Sequence, residues 1–154
     1  AEDLGIITPE VEALRDDHDL PGMKVLHFAF GGKADNPYLP HNHVINAVVY
    51  TGTHDNNTTL GWFNELDKNT RAHLFDYLGG GPEQMPELLV CAAFASVARL
   101  AVVPLQDVLA LGSEHRMNQP GIANGCWRWR FSWDQVGVEV VGRYRHWLEL
   151  YGRV

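Results

Sequence analysis

Apolar and polar positions along the chain switch between a helical and a strand-like period. Val11 and Leu14 stand at helical spacing behind Thr8, an N-cap residue, and Pro9, a good first helical residue; Leu20-Pro21-Gly22 ends that run. Met23 to Phe30 is short and mostly apolar, which predicts a strand buried on both faces of a parallel sheet. Gly31 to Asn46, with Asn36-Pro37 and Leu39-Pro40, predicts a long irregular loop, and such loops in compact chains are more often functional than idle. Ala47 to Thr51 predicts a second strand from its β-forming residues.

Leu60 to Leu78 predicts helix with a break near Asp67, stopped by Gly79-Gly80-Gly81-Pro82. Pro86 to Arg99 predicts a strongly apolar helix, Leu100 to Val103 a third strand, and Gly112 to Gly125 a second long loop. Trp133 to Tyr151 predicts a terminal amphipathic helix with Val136, Val140, Tyr144, Trp147 and Tyr151 near one face. Strands alternating with helices imply an α/β fold with a parallel sheet, whose chemistry lies beyond the carboxyl ends of the strands. Polar clusters follow all three strands, among them Gly52 to Asn57 and Gln106-Asp107, so the pattern points to one shared site.

Length and composition narrow the class. A chain of 154 residues, 45% hydrophobic and 20% charged, is an ordinary globular domain and excludes intrinsic disorder. A net charge of −7 argues against nucleic acid or an anionic membrane as partner. The longest apolar stretch, Leu88 to Ala98, is shorter than the roughly 20 residues that span a bilayer. Two cysteines make no disulfide framework, and the chain opens on Ala-Glu-Asp rather than a hydrophobic leader. The expectation is a soluble, cytoplasmic protein.

Several residues carry chemistry in more than one reading. His54-Asp55 suits sugar binding, metal ligation or acid/base work, and equally a helix N-cap. Glu2 and Asp3 read as catalytic carboxylates or as a frayed terminus. His41 and His43 with His54 and Asp55 suggest a metal site of a hydrolase, or solvated loop histidines. Trp127-Arg128-Trp129-Arg130 reads as a stacking platform or as a strand with two faces. Cys91 and Cys126 have no paired spacing and read as unreactive.

Together, several segments resemble one family: Ala1-Glu2-Asp3-Leu4-Gly5, Gly22 to Leu26, Asn36-Pro37-Tyr38-Leu39-Pro40-His41-Asn42 and Tyr50-Thr51-Gly52-Thr53-His54-Asp55-Asn56. Pro104-Leu105-Gln106-Asp107, Arg116-Met117-Asn118 with Pro120-Gly121, and Trp127 to Arg130 continue the match in order. The chain is similar to the carboxyl-terminal part of the 4-alpha-glucanotransferases (amylomaltase, or disproportionating enzyme), glycoside hydrolase family 77 of the alpha-amylase clan. The resemblance implies the carboxyl-terminal part of a (β/α)8 TIM barrel, about the sixth to eighth strand units, with residues 1–154 forming a single fragment of the catalytic barrel.

By the same resemblance the whole enzyme transfers α-1,4-glucan segments between maltodextrins with retention and no cofactor or metal. Glu2 matches the acid/base and Asp55 the carboxylate that stabilises the transition state. His54 and Asn118 match groups that bind hydroxyls of the sugar at the cleavage point, and Asp3 is expected near the acceptor side. The nucleophile matches no position of this chain, so the chain alone is expected to be inactive and to self-associate, and a non-catalytic glucan-binding fragment is the alternative. Loops 31–46 and 112–125 are expected to hold water from the intermediate. Asn57 stands where many members carry aspartate, His27 where glutamine is usual, and Cys126 where asparagine is expected.

Overall fold

The computed structural model describes residues 1–154. Three short parallel strands form one sheet: β1 (Gly22–Val25), β2 (Ala47–Tyr50) and β3 (Leu100–Val102). Spatial order equals sequence order, with Met23 against Val48 and Val48 against Leu100 in register. A parallel sheet that advances one neighbour at a time is the winding of a barrel, whereas a doubly wound sheet reverses at a switch point.

The helices are α1 (Pro9–Asp17), α2 (Thr59–Glu65), α3 (Lys68–Leu78), α4 (Glu87–Ala95), the single turn α5 (Leu105–Val108) and α6 (Val138–Leu150). The break near Asp67 is a cap: its carboxylate accepts from the Asn69 and Thr70 backbone N–H groups and starts α3. Gly79, with φ of 75°, ends that helix in a conformation that L side chains resist.

Three elements are shorter than the sequence pattern predicts. The first strand stops at Val25, and Leu26–Phe28 turns into a 3₁₀ segment that drops Leu26 and Phe30 into the core. The apolar helix ends at Ala95 because Ser96 adopts extended backbone; Arg153 then donates to the carbonyls of Phe94, Ser96 and Ala98. Gly137 separates the terminal helix from a 3₁₀ turn at Trp133–Gln135. The Trp127 to Arg130 segment is not a strand: it forms no ladder, and Trp127 takes φ of 64°.

The main core cluster lies on one face of the sheet. Ala47 and Val49 of β2 pack there with Leu26, Phe63, Leu74 and Leu89, beneath α2, α3 and α4. On the opposite face Val25 of β1 is fully buried, so burial on both faces is met there and is lost toward β3. In parallel register, Met23, Val48 and Leu100 make one row of the opposite face and Val25, Tyr50 and Val102 the next. Those rows are apolar, yet Leu100 is 55% and Val102 39% exposed. In a closed barrel such rows fill the interior.

Candidate active site

A cleft of about 360 Å³ opens at the carboxyl ends of β2 and β3. Its walls come from Tyr50, Gly52 to His54 and Asn56 to Thr58 after β2, from Val102, Pro104 and Gln106 around the end of β3, and from Arg116 and Met117 further on. Met23 of β1 closes one side.

His54 lines this cleft, Asp55 follows it in the chain just outside the lining, and neither is a helix cap. Thr58 takes that role for α2, its hydroxyl accepting from Gly61 N–H at 3.1 Å. The His54 side chain is 59% and that of Asp55 48% exposed, with Nε2 and Oδ1 3.4 Å apart. Asn118 Nδ2 donates to Asp55 Oδ1 at 2.6 Å, while Arg116 Nη2 donates to the Asp55 carbonyl at 2.9 Å. The Asn118 backbone N–H donates to the His54 carbonyl at 3.1 Å. The loop after β3 thus grips the loop after β2, and Asp55 Oδ2 is left without a protein partner.

Beneath the rim lies a buried polar network. Thr51, Thr59 and Asp107 are nearly inaccessible, and both hydroxyls donate to Asp107 Oδ2 at 2.6 Å. Burial pushes the Asp107 carboxyl upward, opposed by its bonds from Thr51 and Thr59. His27 Nε2 lies 3.0 Å from Thr59 Oγ1, and its ring stacks on Trp62 at 4.5 Å. Because the Thr59 proton goes to Asp107, His27 Nε2 is the donor, which leaves Nδ1 as a buried, unpartnered acceptor. Burial lowers the pKa of this imidazole to about 3, so the ring is neutral. Gly52 lies against it so closely that a Cβ there would collide with the ring.

The two amino-terminal carboxylates are placed apart from this cluster. Asp3 is almost enclosed: Oδ1 accepts from Met23 N–H at 2.7 Å and Oδ2 from Arg15 Nη1 at 2.7 Å. It pins the segment before α1 to β1 and keeps no oxygen free for a sugar. Glu2 is exposed, makes no hydrogen bond or ion pair with the protein, and does not line the cleft. The structure brings His54, Asp55 and Asn118 together and leaves Glu2 and Asp3 outside them.

Two loop expectations change. His41 bonds the Tyr77 hydroxyl through Nδ1 and the Ala34 carbonyl through Nε2, at 2.8 and 2.9 Å. His43 bonds Ser96 Oγ at 2.7 Å and the Tyr38 carbonyl at 2.9 Å. With both ring nitrogens engaged in each, neither histidine can ligate, which overturns the metal-hydrolase alternative. The same bonds tie loop 31–46 to α3 through Tyr77 and to the end of α4 through Ser96, and none of its residues lines the cleft. From loop 112–125, Arg116 and Met117 do.

Sequence reasoning noticed Asp107 as a polar residue past a strand but missed its burial and its partners. The signal was present, since threonines stand at both ends of the His54-Asp55 segment. Trp127 was named as a platform in one of two readings; its ring, 55% exposed, lies 5.1 Å from that of His54.

Comparison with known proteins gives the family and the fold. The sequence profile of glycoside hydrolase family 77, described as 4-alpha-glucanotransferase, matches residues 1–135. A 4-alpha-glucanotransferase of Synechocystis sp. is 54% identical over 99% of this chain and 31% of its own length. A chloroplastic/amyloplastic 4-alpha-glucanotransferase of Arabidopsis thaliana is 48% identical over 100% of the chain and 27% of its own length. The structure of Streptococcus agalactiae amylomaltase in complex with acarbose superposes with a TM-score of 0.95 at 29% identity, over 99% of this chain and 31% of that one.

The chain therefore spans about a third of the length of these relatives. The Arabidopsis protein overturns the expectation of a cytoplasmic setting. On the match over residues 1–135, together with a parallel sheet wound as the carboxyl-terminal part of a (β/α)8 barrel, this chain belongs to the 4-alpha-glucanotransferase family, glycoside hydrolase family 77.

Proposed function

We propose that residues 1–154 form one piece of the catalytic barrel of a retaining 4-alpha-glucanotransferase acting on maltodextrins, glycogen or starch chains. The observation that carries this reading is the trio of His54, Asp55 and Asn118 beside the cleft that His54 lines, with Asp55 Oδ1 held at 2.6 Å by Asn118 and Oδ2 free. A carboxylate fixed through one oxygen presents the other in a constant direction. In the proposed role that oxygen accepts hydroxyl protons of the sugar at the cleavage point.

As the glycosidic bond lengthens, the ring carbon and oxygen gain positive charge, and the fixed negative charge of Asp55 is worth more then than in the ground state. His54 supplies a further donor to the same sugar, and Trp127 beside it supplies an apolar face. Glu2 is proposed as the acid/base, protonating the departing oxygen and later deprotonating the acceptor hydroxyl. Its exposure here fits a group that awaits elements of the barrel outside this chain. The nucleophile comes from one of those elements. Asp3, with one partner on each oxygen, is proposed as the tie that carries Glu2.

The test is Asp55→Asn in a complete enzyme containing this segment, with maltotriose disproportionation followed by chromatography. The expected result is a kcat lower by on the order of 10²–10³-fold, as for loss of one preorganised electrostatic contact, with maltodextrin binding largely kept. An Asn variant within a few-fold of wild type overturns the assignment. A non-catalytic glucan-binding protein would show binding and no transfer in the wild type.

A further inference from the structure

Asp55 stands on a segment that has nothing apolar to hold it. Between Thr51 and Thr59 the side chains are Gly52, Thr53, His54, Asp55, Asn56, Asn57 and Thr58, so hydrophobic packing does not set its path. Its two ends instead meet at a single buried carboxylate. Asp107, 2% exposed, accepts the Thr51 hydroxyl and the Thr59 hydroxyl on Oδ2 at 2.6 Å each, and the Thr59 backbone N–H on Oδ1 at 2.7 Å. Thr51 is the first residue past β2 and Thr59 the first of α2, so one side chain closes the loop at both of its feet.

Three donors converge on the two oxygens, and the group serves as an acceptor throughout. A carboxylate buried this deeply is costly unless it is fully hydrogen-bonded, and an apolar side chain would fill the same space without that cost. What an apolar side chain would not supply is direction. The Thr59 hydroxyl also accepts from His27 Nε2 at 3.0 Å, which joins the end of β1 to the same network. Asp107 therefore sets the feet of the loop relative to all three strands, while Arg116 and Asn118 hold its tip.

We propose that Asp107 is a positioning residue of the site: by bonding both feet of segment 52–58 it fixes where the Asp55 carboxylate stands, and turnover depends on it more than sugar binding does. The link to turnover rests on the role given to Asp55 above, whereas the clamp itself rests on this chain alone.

The test compares Thr51→Val, which keeps shape and removes the hydroxyl, with Thr51→Ser, which keeps the hydroxyl. In a complete enzyme containing this segment, T51V is expected to lower kcat on maltotriose about ten-fold with KM within about two-fold, as for a small misplacement of a reacting group. T51S is expected to restore kcat to within about two-fold of wild type. In the 154-residue chain, amide exchange of Asn56, whose N–H bonds the Thr53 carbonyl, is expected to quicken at least about ten-fold in T51V, while Leu74 in α3 does not change. Thr59→Val gives the same readings from the other foot should T51V not fold.

Exchange that quickens equally at Asn56 and Leu74 overturns the clamp. Wild-type kcat in T51V, or T51S as slow as T51V, overturns the positioning role. Local opening in a wild-type background that transfers no glucan supports the clamp and overturns the proposed function instead.

Discussion

Asn118 Nδ2 donates to Asp55 Oδ1 across 2.6 Å, tying together loops 63 residues apart in sequence. An amide is the right partner for an ionised carboxylate because it offers a donor with no charge of its own to move. Asn118→Asp would set two carboxylates at the same distance, where both cannot be ionised cheaply. Asn118→Ala would leave Asp55 to water. In a complete enzyme at neutral pH, N118D is expected to lose more kcat on maltotriose than N118A, by about ten-fold or more for one uncompensated like charge. Equal losses would show that the bond matters only for shape.

Asn57, where the resemblance implies aspartate in many members, is held by its neighbours. Its Nδ2 donates to Glu65 Oε1 at 2.7 Å and its contact with Ser113 Oγ is 3.0 Å, while Oδ1 accepts from Thr58 N–H at 2.8 Å. Asn57→Asp would turn the first of these contacts into carboxylate repulsion. It is expected to cost about 0.5–1 kcal/mol in urea denaturation, since Glu65 is exposed and solvent screens the pair. Adding Glu65→Gln should recover that loss. A double variant no more stable than N57D would place the cost elsewhere.

His27 makes stability depend on pH with a definite sign. Its pKa falls from 6.5 to about 3 on folding because of burial, so between those values the unfolded chain binds a proton that the folded chain does not. Stability is therefore full above about pH 6.5 and falls as the pH drops toward 3, by up to about 1.4 kcal/mol per pH unit from this one group. Asp107, raised by burial, works in the opposite direction at its own titration. Urea midpoints at pH 7 and pH 5 should differ more in wild type than in His27→Gln. An equal drop in both would remove His27 as the cause.

The fold class was legible in the sequence because it rests on local pattern. Three apolar runs, each followed by polar residues, mark strands whose carboxyl ends hold chemistry, and His54, Asp55 and Asn118 do meet there. Element ends were less legible. Val25 and Ser96 are apolar or neutral residues in otherwise uniform runs, and each leaves its element only because of partners far away in the chain: His27 N–H to the Thr51 carbonyl, and Arg153 to the carbonyls after α4. The state of Asp3 and of loop 31–46 was hidden for the same reason. Arg15, Met23 and Tyr77 decide them, and none is adjacent in sequence. The Trp127 to Arg130 alternation misled by period, since a left-handed residue at Trp127 breaks a strand that its side chains would suit.

The sheet's second face leads to a prediction about the chain on its own. β3 pairs with β2 along one edge, and its other edge offers unpaired amide and carbonyl groups. The rows built on Met23, Val48 and Leu100 and on Val25, Tyr50 and Val102 are apolar, and Leu100 at 55% exposure lies at their open end. Apolar surface beside an unpaired edge is the combination that pairs with another copy. The 154-residue chain is expected to elute on a calibrated sizing column as a dimer or larger, and Leu100→Lys to shift it toward monomer by putting a charge where a second copy would pack. Incubated with maltotriose, it is expected to release neither glucose nor longer oligomers. A covalent glycosyl intermediate requires a nucleophile, and the resemblance places that group on a strand outside these residues. A monomer that yields the full disproportionation ladder would overturn both the edge argument and the proposal that the nucleophile lies elsewhere.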